Sequence, residues 1–105
     1  MNIGMALPFT TWNLAVGYSN AFNIAAWAYD AEGVRQAVDM DSAVVRIRVL
    51  TTPETVFTAA TADNIITFTI SPEEAVEGLV GRKFYLEVVQ DDIPFLWSAG
   101  RVVGV

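Results

Sequence analysis

The sequence contains no cysteine and no histidine. The first absence excludes disulfides and thiolate metal sites. The second removes the commonest general base, the commonest metal ligand and every Ser-His or Cys-His nucleophile. Charge is scarce as well: 17% of the 105 residues are charged, against about 25% in an ordinary domain. A small domain has much surface for its volume. Either uncharged residues must cover that surface, or part of it does not face water. Six basic residues against twelve acidic ones leave a net charge of −6. Phosphate neutralisation needs clustered Lys and Arg, and so does docking on anionic lipid, so neither nucleic acid nor membrane is an expected partner. No apolar run reaches the ~20 residues of a membrane span. No Lys or Arg precedes the first apolar stretch, so a secretory signal is not expected. The glycines form neither G-x-x-x-x-G-K nor G-x-G-x-x-G, and no D-x-[DN]-x-[DN]-G calcium loop occurs.

What is present is period-two alternation, from end to end. Residues 9–16 (Phe9 to Val16) place Trp12, Leu14 and Val16 on one side. Residues 21–29 place Phe22, Ile24, Ala26 and Ala28 on one side and Ala25, Trp27 and Tyr29 on the other. Asp30-Ala31-Glu32-Gly33 reads as a turn, and 34–38 as a short strand. Over 43–50, Val45, Ile47 and Val49 alternate with Arg46 and Arg48, a half-wet strand. Short strands are expected over 55–60 and 65–70, then 83–90 with Phe84, Leu86 and Val88 inward, and 95–104, where Gly100 suggests a bulge. Ser71-Pro72-Glu73-Glu74 has the form of a capping box, predicting one short helical turn near 72–78. Seven or eight short strands separated by polar turns predict an all-β antiparallel sandwich as one domain over 1–105.

Candidate chemistry is thin. Asp39 with Asp41, and Asp91 with Asp92, are paired carboxylates, but both pairs fall in turns, where Asp bonds nearby amides. Glu73, Glu74 and Glu77 suit the start of a helical turn. Arg46 and Arg48 read as a solvated face paired across its sheet. No catalytic residue, metal or cofactor is expected, and the protein is not expected to be an enzyme. The aromatics are more informative. With Phe22 and Ile24 in the core, Ala25, Trp27 and Tyr29 form an outward patch that Tyr85 can join. Exposed aromatics are enriched at protein interfaces. The same patch could instead stack on sugar rings, as a small carbohydrate- or receptor-binding module would.

The order of these features resembles the N-terminal domain of phage baseplate upper proteins and related Ig-like domains of phage tail and virion proteins. The shared elements are a small-residue turn into an F-x-I strand (Gly17 to Ile24), the D-x-x-G turn Asp30–Gly33, and the D-x-x-x-A segment Asp39–Ala43 opening the strand of Val45, Ile47 and Val49. They continue with the S-P-E-E turn, Leu79-Val80-Gly81 before the aromatic strand at Phe84, and a closing Gly100-Arg101-Val102. The resemblance spans about residues 14–105. It departs at Met40-Asp41-Ser42, where such domains usually carry a Leu-Ser/Thr-Gly step. It implies an Ig-like sandwich and a structural subunit of a virion, such as a tail, baseplate, neck or capsid-accessory protein. The implied partners are other virion structural proteins and copies of itself, and no catalytic residue carries over.

Overall fold

The computed structural model describes residues 4–5 and 10–105. Phe9, expected to open the first strand, lies outside them. Among the described residues, ten strands form two five-stranded sheets packed face to face. The first sheet contains β1 (Gly4–Met5), β3 (Asn20–Tyr29), β8 (Ile65–Ile70) and β7 (Ala60–Ala62) in that order, with β4 (Arg35–Ala37) paired to the far end of β3. The second runs β2 (Thr11–Leu14), β10 (Ile93–Gly104), β9 (Lys83–Gln90), β5 (Val44–Val49), β6 (Thr55–Thr58). The order matches an immunoglobulin-type sandwich, with an A-B-E-D sheet against a sheet built on C, F and G. The N-terminal segment serves both sheets: β1 pairs antiparallel with β3, and β2 pairs parallel with β10.

The core follows from the alternation. Trp12 and Leu14, Val45, Ile47 and Val49, Ile66, Phe68 and Ile70, and Phe84, Leu86 and Val88 are all buried between the sheets. An Ig domain commonly holds its two sheets with a disulfide packed on a Trp of strand C. Here aromatic rings occupy the space between the sheets, and the tryptophan comes from β2. Trp12 meets Phe57 edge-on at 5.7 Å and Phe84 edge-on at 6.3 Å, and lies 6.0 Å from Phe22. Phe22 stacks on Phe68 at 5.2 Å. Such pairs add about 0.5–1.5 kcal/mol each to the burial of their area.

Two local readings change. The expected strand over 55–60 divides at Ala59, whose N–H donates to the Val45 carbonyl; β6 stays in the second sheet and β7 crosses to the first. The bulge in the last strand falls at Trp97, between Leu96 and Ser98, and not at Gly100. Gly100 has a different cause: a Cβ there would meet the Thr10 backbone, so only glycine lets the chain cross so closely. The capping box closes as expected, with the Ser71 N–H donating to Glu74 Oε1 and the Glu74 N–H to Ser71 Oγ. The short helical turn expected near 72–78 follows it. A single turn leads to a 3-10 helix at Glu77–Leu79, which lowers Ala75 and Leu79 into the core.

Candidate functional site

Strand register decides which side chains share an outer face. On the first sheet, β3 turns Ala21, Asn23, Ala25, Trp27 and Tyr29 outward, because Phe22, Ile24 and Ala26 face the core. Their cross-strand partners on β8 are Thr69, Thr67 and Ile65, and β7 adds Ala60 and Ala62. On β4, Ala37 and Arg35 stand opposite Trp27 and Tyr29. Among these strand residues Arg35 carries the face's one charge, and its guanidinium lies 4.1 Å from the Trp27 ring centroid. Thr67 Oγ1 donates to Asn23 Oδ1 at 2.9 Å, so this polar pair is satisfied within the face. Tyr29 is 69% exposed.

Three of the four expected patch residues, Ala25, Trp27 and Tyr29, are therefore on one surface. Tyr85 is not among them. It sits on β9, in the outer face of the other sheet, directly opposite Arg48 and Ala99. Its ring lies between Arg48 at 5.6 Å and Lys83 at 5.4 Å. Alternation alone puts Tyr85 outward but does not say on which sheet, and that was the missing information. The aromatic patch is thus a pair, Trp27 and Tyr29, with one ring already covered by Arg35.

The outer face of the second sheet is charged. Arg46 stands opposite Glu87, and its Nε donates to Glu87 Oε1 at 3.1 Å. Arg48 Nε is 2.8 Å from the same oxygen, off the line of its N–H, while Arg48 Nη1 donates to Glu54 at 2.9 Å. Glu87 is 8% exposed, the one buried charged side chain among the described residues. Two guanidiniums and Leu96, which stands opposite it, enclose it. Arg48, Tyr85, Glu87 and Leu96 line a shallow depression of about 250 Å³. Lys83 and Arg101 continue the face toward the start of β9. Arg46 and Arg48 were legible as a wet face; Glu87 as their shared partner was not, because it required the register of β5 against β9.

The acids lie elsewhere. Of the twelve, Glu87 alone is in a strand. One end of the sandwich collects Asp30 and Glu32 in the β3–β4 turn, Asp39 and Asp41 before β5, Asp63 before β8, and Asp91 with Asp92 between β9 and β10. Most of them shape turns. Asp30 Oδ1 accepts from the Glu32 and Val34 N–H groups, and the Val34 bond is the main reason its carboxyl is held below the ordinary range. Asp39 caps the Asp41 N–H, and Asp41 reaches the Asp63 N–H. Asp91 and Asp92 both have positive φ, 53° and 61°, as a two-residue hairpin turn of the primed type requires. At the other end the Ser71 N–H holds the Glu74 carboxyl below its ordinary range. Among the described residues no group of three or more His, Cys, Asp or Glu could hold a metal.

Compared with known proteins, the chain matches no family model and no curated protein.

Proposed function

We propose that the protein is a non-enzymatic structural subunit that binds neighbouring proteins of a phage virion through the outer face of the first sheet. One observation carries the docking surface: across β3, β8, β7 and β4 that face bears a single charge, Arg35, and the charge is stacked on Trp27. A solvated face of an antiparallel sheet ordinarily alternates core residues with charged or polar ones. Here Ala, Thr and an Asn–Thr pair keep the face flat, and Trp27 and Tyr29 supply large rigid area. Interface centres have this composition, depleted in charge and enriched in aromatics. The virion setting rests on the resemblance of the ordered motifs between Gly17 and Val102.

The test is the neighbourhood of the chain in intact particles. Cross-linking and electron microscopy of virions carrying the protein should place Ala25, Trp27 and Tyr29 against another subunit. A protein that joins no particle would overturn the virion setting, and one whose first-sheet face remains solvated in the particle would overturn the docking surface.

A further inference from the structure

β10 is paired unequally along its two edges. β9 covers one edge from Ile93 to Arg101, while β2 covers the other from Arg101 to Gly104. Among the described residues no strand pairs with that second edge over 93–97. The Leu50 N–H donates to the Lys83 carbonyl, so by alternation Glu87 and Val89 also bond β5, while Val88 and Gln90 bond β10. Ile93 and Phe95, opposite Gln90 and Val88, therefore turn their backbone groups to β9. Pro94 and Leu96 turn theirs to the open edge. That edge presents the Pro94 carbonyl and the Leu96 N–H and carbonyl, and proline has no N–H to leave unpaired there.

The side chains of this segment are apolar on both sides. Phe95 shares the core side with Val88, and Leu96 shares the outer side with Glu87. Yet Ile93 and Pro94 are exposed, Phe95 is 49% exposed and Leu96 63%. From Ile93 to Gly100 no residue is charged. An open, apolar edge without charge is a template for another strand. The four exposed side chains offer roughly 400 Å², the size of a patch that ordinarily marks an interaction site.

We propose that this edge pairs with the same edge of a second copy of the chain, antiparallel across a two-fold axis beside Phe95. The edge is self-complementary in that register. Each Leu96 N–H meets the other copy's Pro94 carbonyl, and the proline's missing donor leaves just the Leu96 carbonyl to water. The two Phe95 rings face each other as a non-hydrogen-bonded pair, the kind in which side chains come closest. The contact is isologous, so it closes at a dimer and joins two five-stranded sheets into one. A chain of net charge −6 meets its copy with least repulsion along an uncharged strand. Two such patches total about 800 Å², the small end for specific contacts, so the dimer is weak and reversible. It does not depend on the first-sheet face binding anything.

Sedimentation equilibrium on the full chain tests it. Wild-type protein should pass from monomer to dimer between about 0.01 and 1 mM. Phe95→Lys and Phe95→Glu each place like charges across the axis and should weaken the dimer at least about tenfold, while an equal mixture of the two should restore it. Phe95→Cys should form a disulfide-linked dimer on mild oxidation, because non-hydrogen-bonded partners stand about 4.5 Å apart at Cα, within reach of a disulfide. Tyr18→Cys, exposed but off this edge, should link far more slowly. Circular dichroism melts confirm that each variant is folded; if any is not, the wild-type concentration series decides. A wild type that is monomeric at about 1 mM, folded Lys and Glu variants that associate like wild type or fail to restore each other, or equal linking at both cysteines would each overturn the proposal. So would association abolished by Ala25→Lys and not by Phe95→Lys, which would place the dimer on the first-sheet face.

Discussion

The two outer faces of the sandwich each belong to a five-stranded sheet but differ in chemistry. On the first sheet, positions that point to solvent are Ala, Thr, Asn, Ile, Trp and Tyr, and the one cation lies over an indole. On the second, they include Arg46, Arg48, Lys83, Glu87 and Arg101. The low charge of the whole chain is therefore not an even dilution. It comes from one face with almost no charge and a second face that is densely charged. The charged face is held together by its own cross-strand pairs, Arg46 and Arg48 with Glu87. The uncharged face has little to hold in water, which is why it is the surface we assign to docking.

If both faces cover one core, substitutions beneath them should act on both. Trp12 packs against rings from both sheets, so Trp12→Ala should cost about 3–5 kcal/mol. Urea unfolding followed by far-UV circular dichroism and by tryptophan fluorescence should give one coincident transition. Two separated transitions would show that the sheets behave as independent units and would break the comparison. Next in size is the charged face itself. Glu87→Ala leaves two guanidiniums facing each other. Loss of a buried partner costs about 3–5 kcal/mol, but Arg46 and Arg48 remain 33% and 29% exposed, so about 2 kcal/mol is expected after solvent screening. A change below about 0.5 kcal/mol would place the network among ordinary surface pairs.

On the uncharged face the expectation reverses. Ala25→Lys or Thr67→Glu should change the stability of the isolated protein by no more than about 0.5 kcal/mol, yet should abolish docking on particles. A large stability loss would mean that the face supports the fold and is not a free surface. The smallest effect belongs to the turns. The Asp30 and Glu74 carboxyls are held below their ordinary range by backbone N–H groups. The unfolded chain takes up those protons first, so each contributes stability that is complete above the unfolded carboxylate pKa and is lost as pH falls through the lowered folded value. Asp30→Asn and Glu74→Gln should therefore flatten the acid limb of melting temperature against pH and leave the neutral region almost unchanged.

Much of this was legible from spacing alone. Alternation at Val45-Arg46-Ile47-Arg48-Val49 and at Phe22-Asn23-Ile24-Ala25 set both the strands and their inward sides, because a half-buried strand leaves a period-two trace. The Ser71–Glu74 box and the Asp30–Gly33 turn were legible because they are local hydrogen-bonded devices. Three features depended on register or on crossing chains, and no local pattern records those. Tyr85 was outward but on the other sheet. Glu87 was one more alternating residue until β5 was set beside it. Gly100 marked a close backbone crossing by Thr10, while the bulge lay at Trp97, whose bulky side chain gives no turn signal.

The central claim is that the uncharged face of the first sheet is covered in the assembled state and the charged face is not. The absence of native cysteine makes a direct measurement possible. Single-cysteine variants Ala25→Cys on the first face and Val56→Cys on the second can be labelled with a thiol reagent in isolated protein and in intact particles. The account predicts that the thiol of Ala25→Cys is strongly protected in particles while that of Val56→Cys labels as fast as in isolated protein; equal labelling at both positions, or protection at Val56→Cys alone, would contradict it.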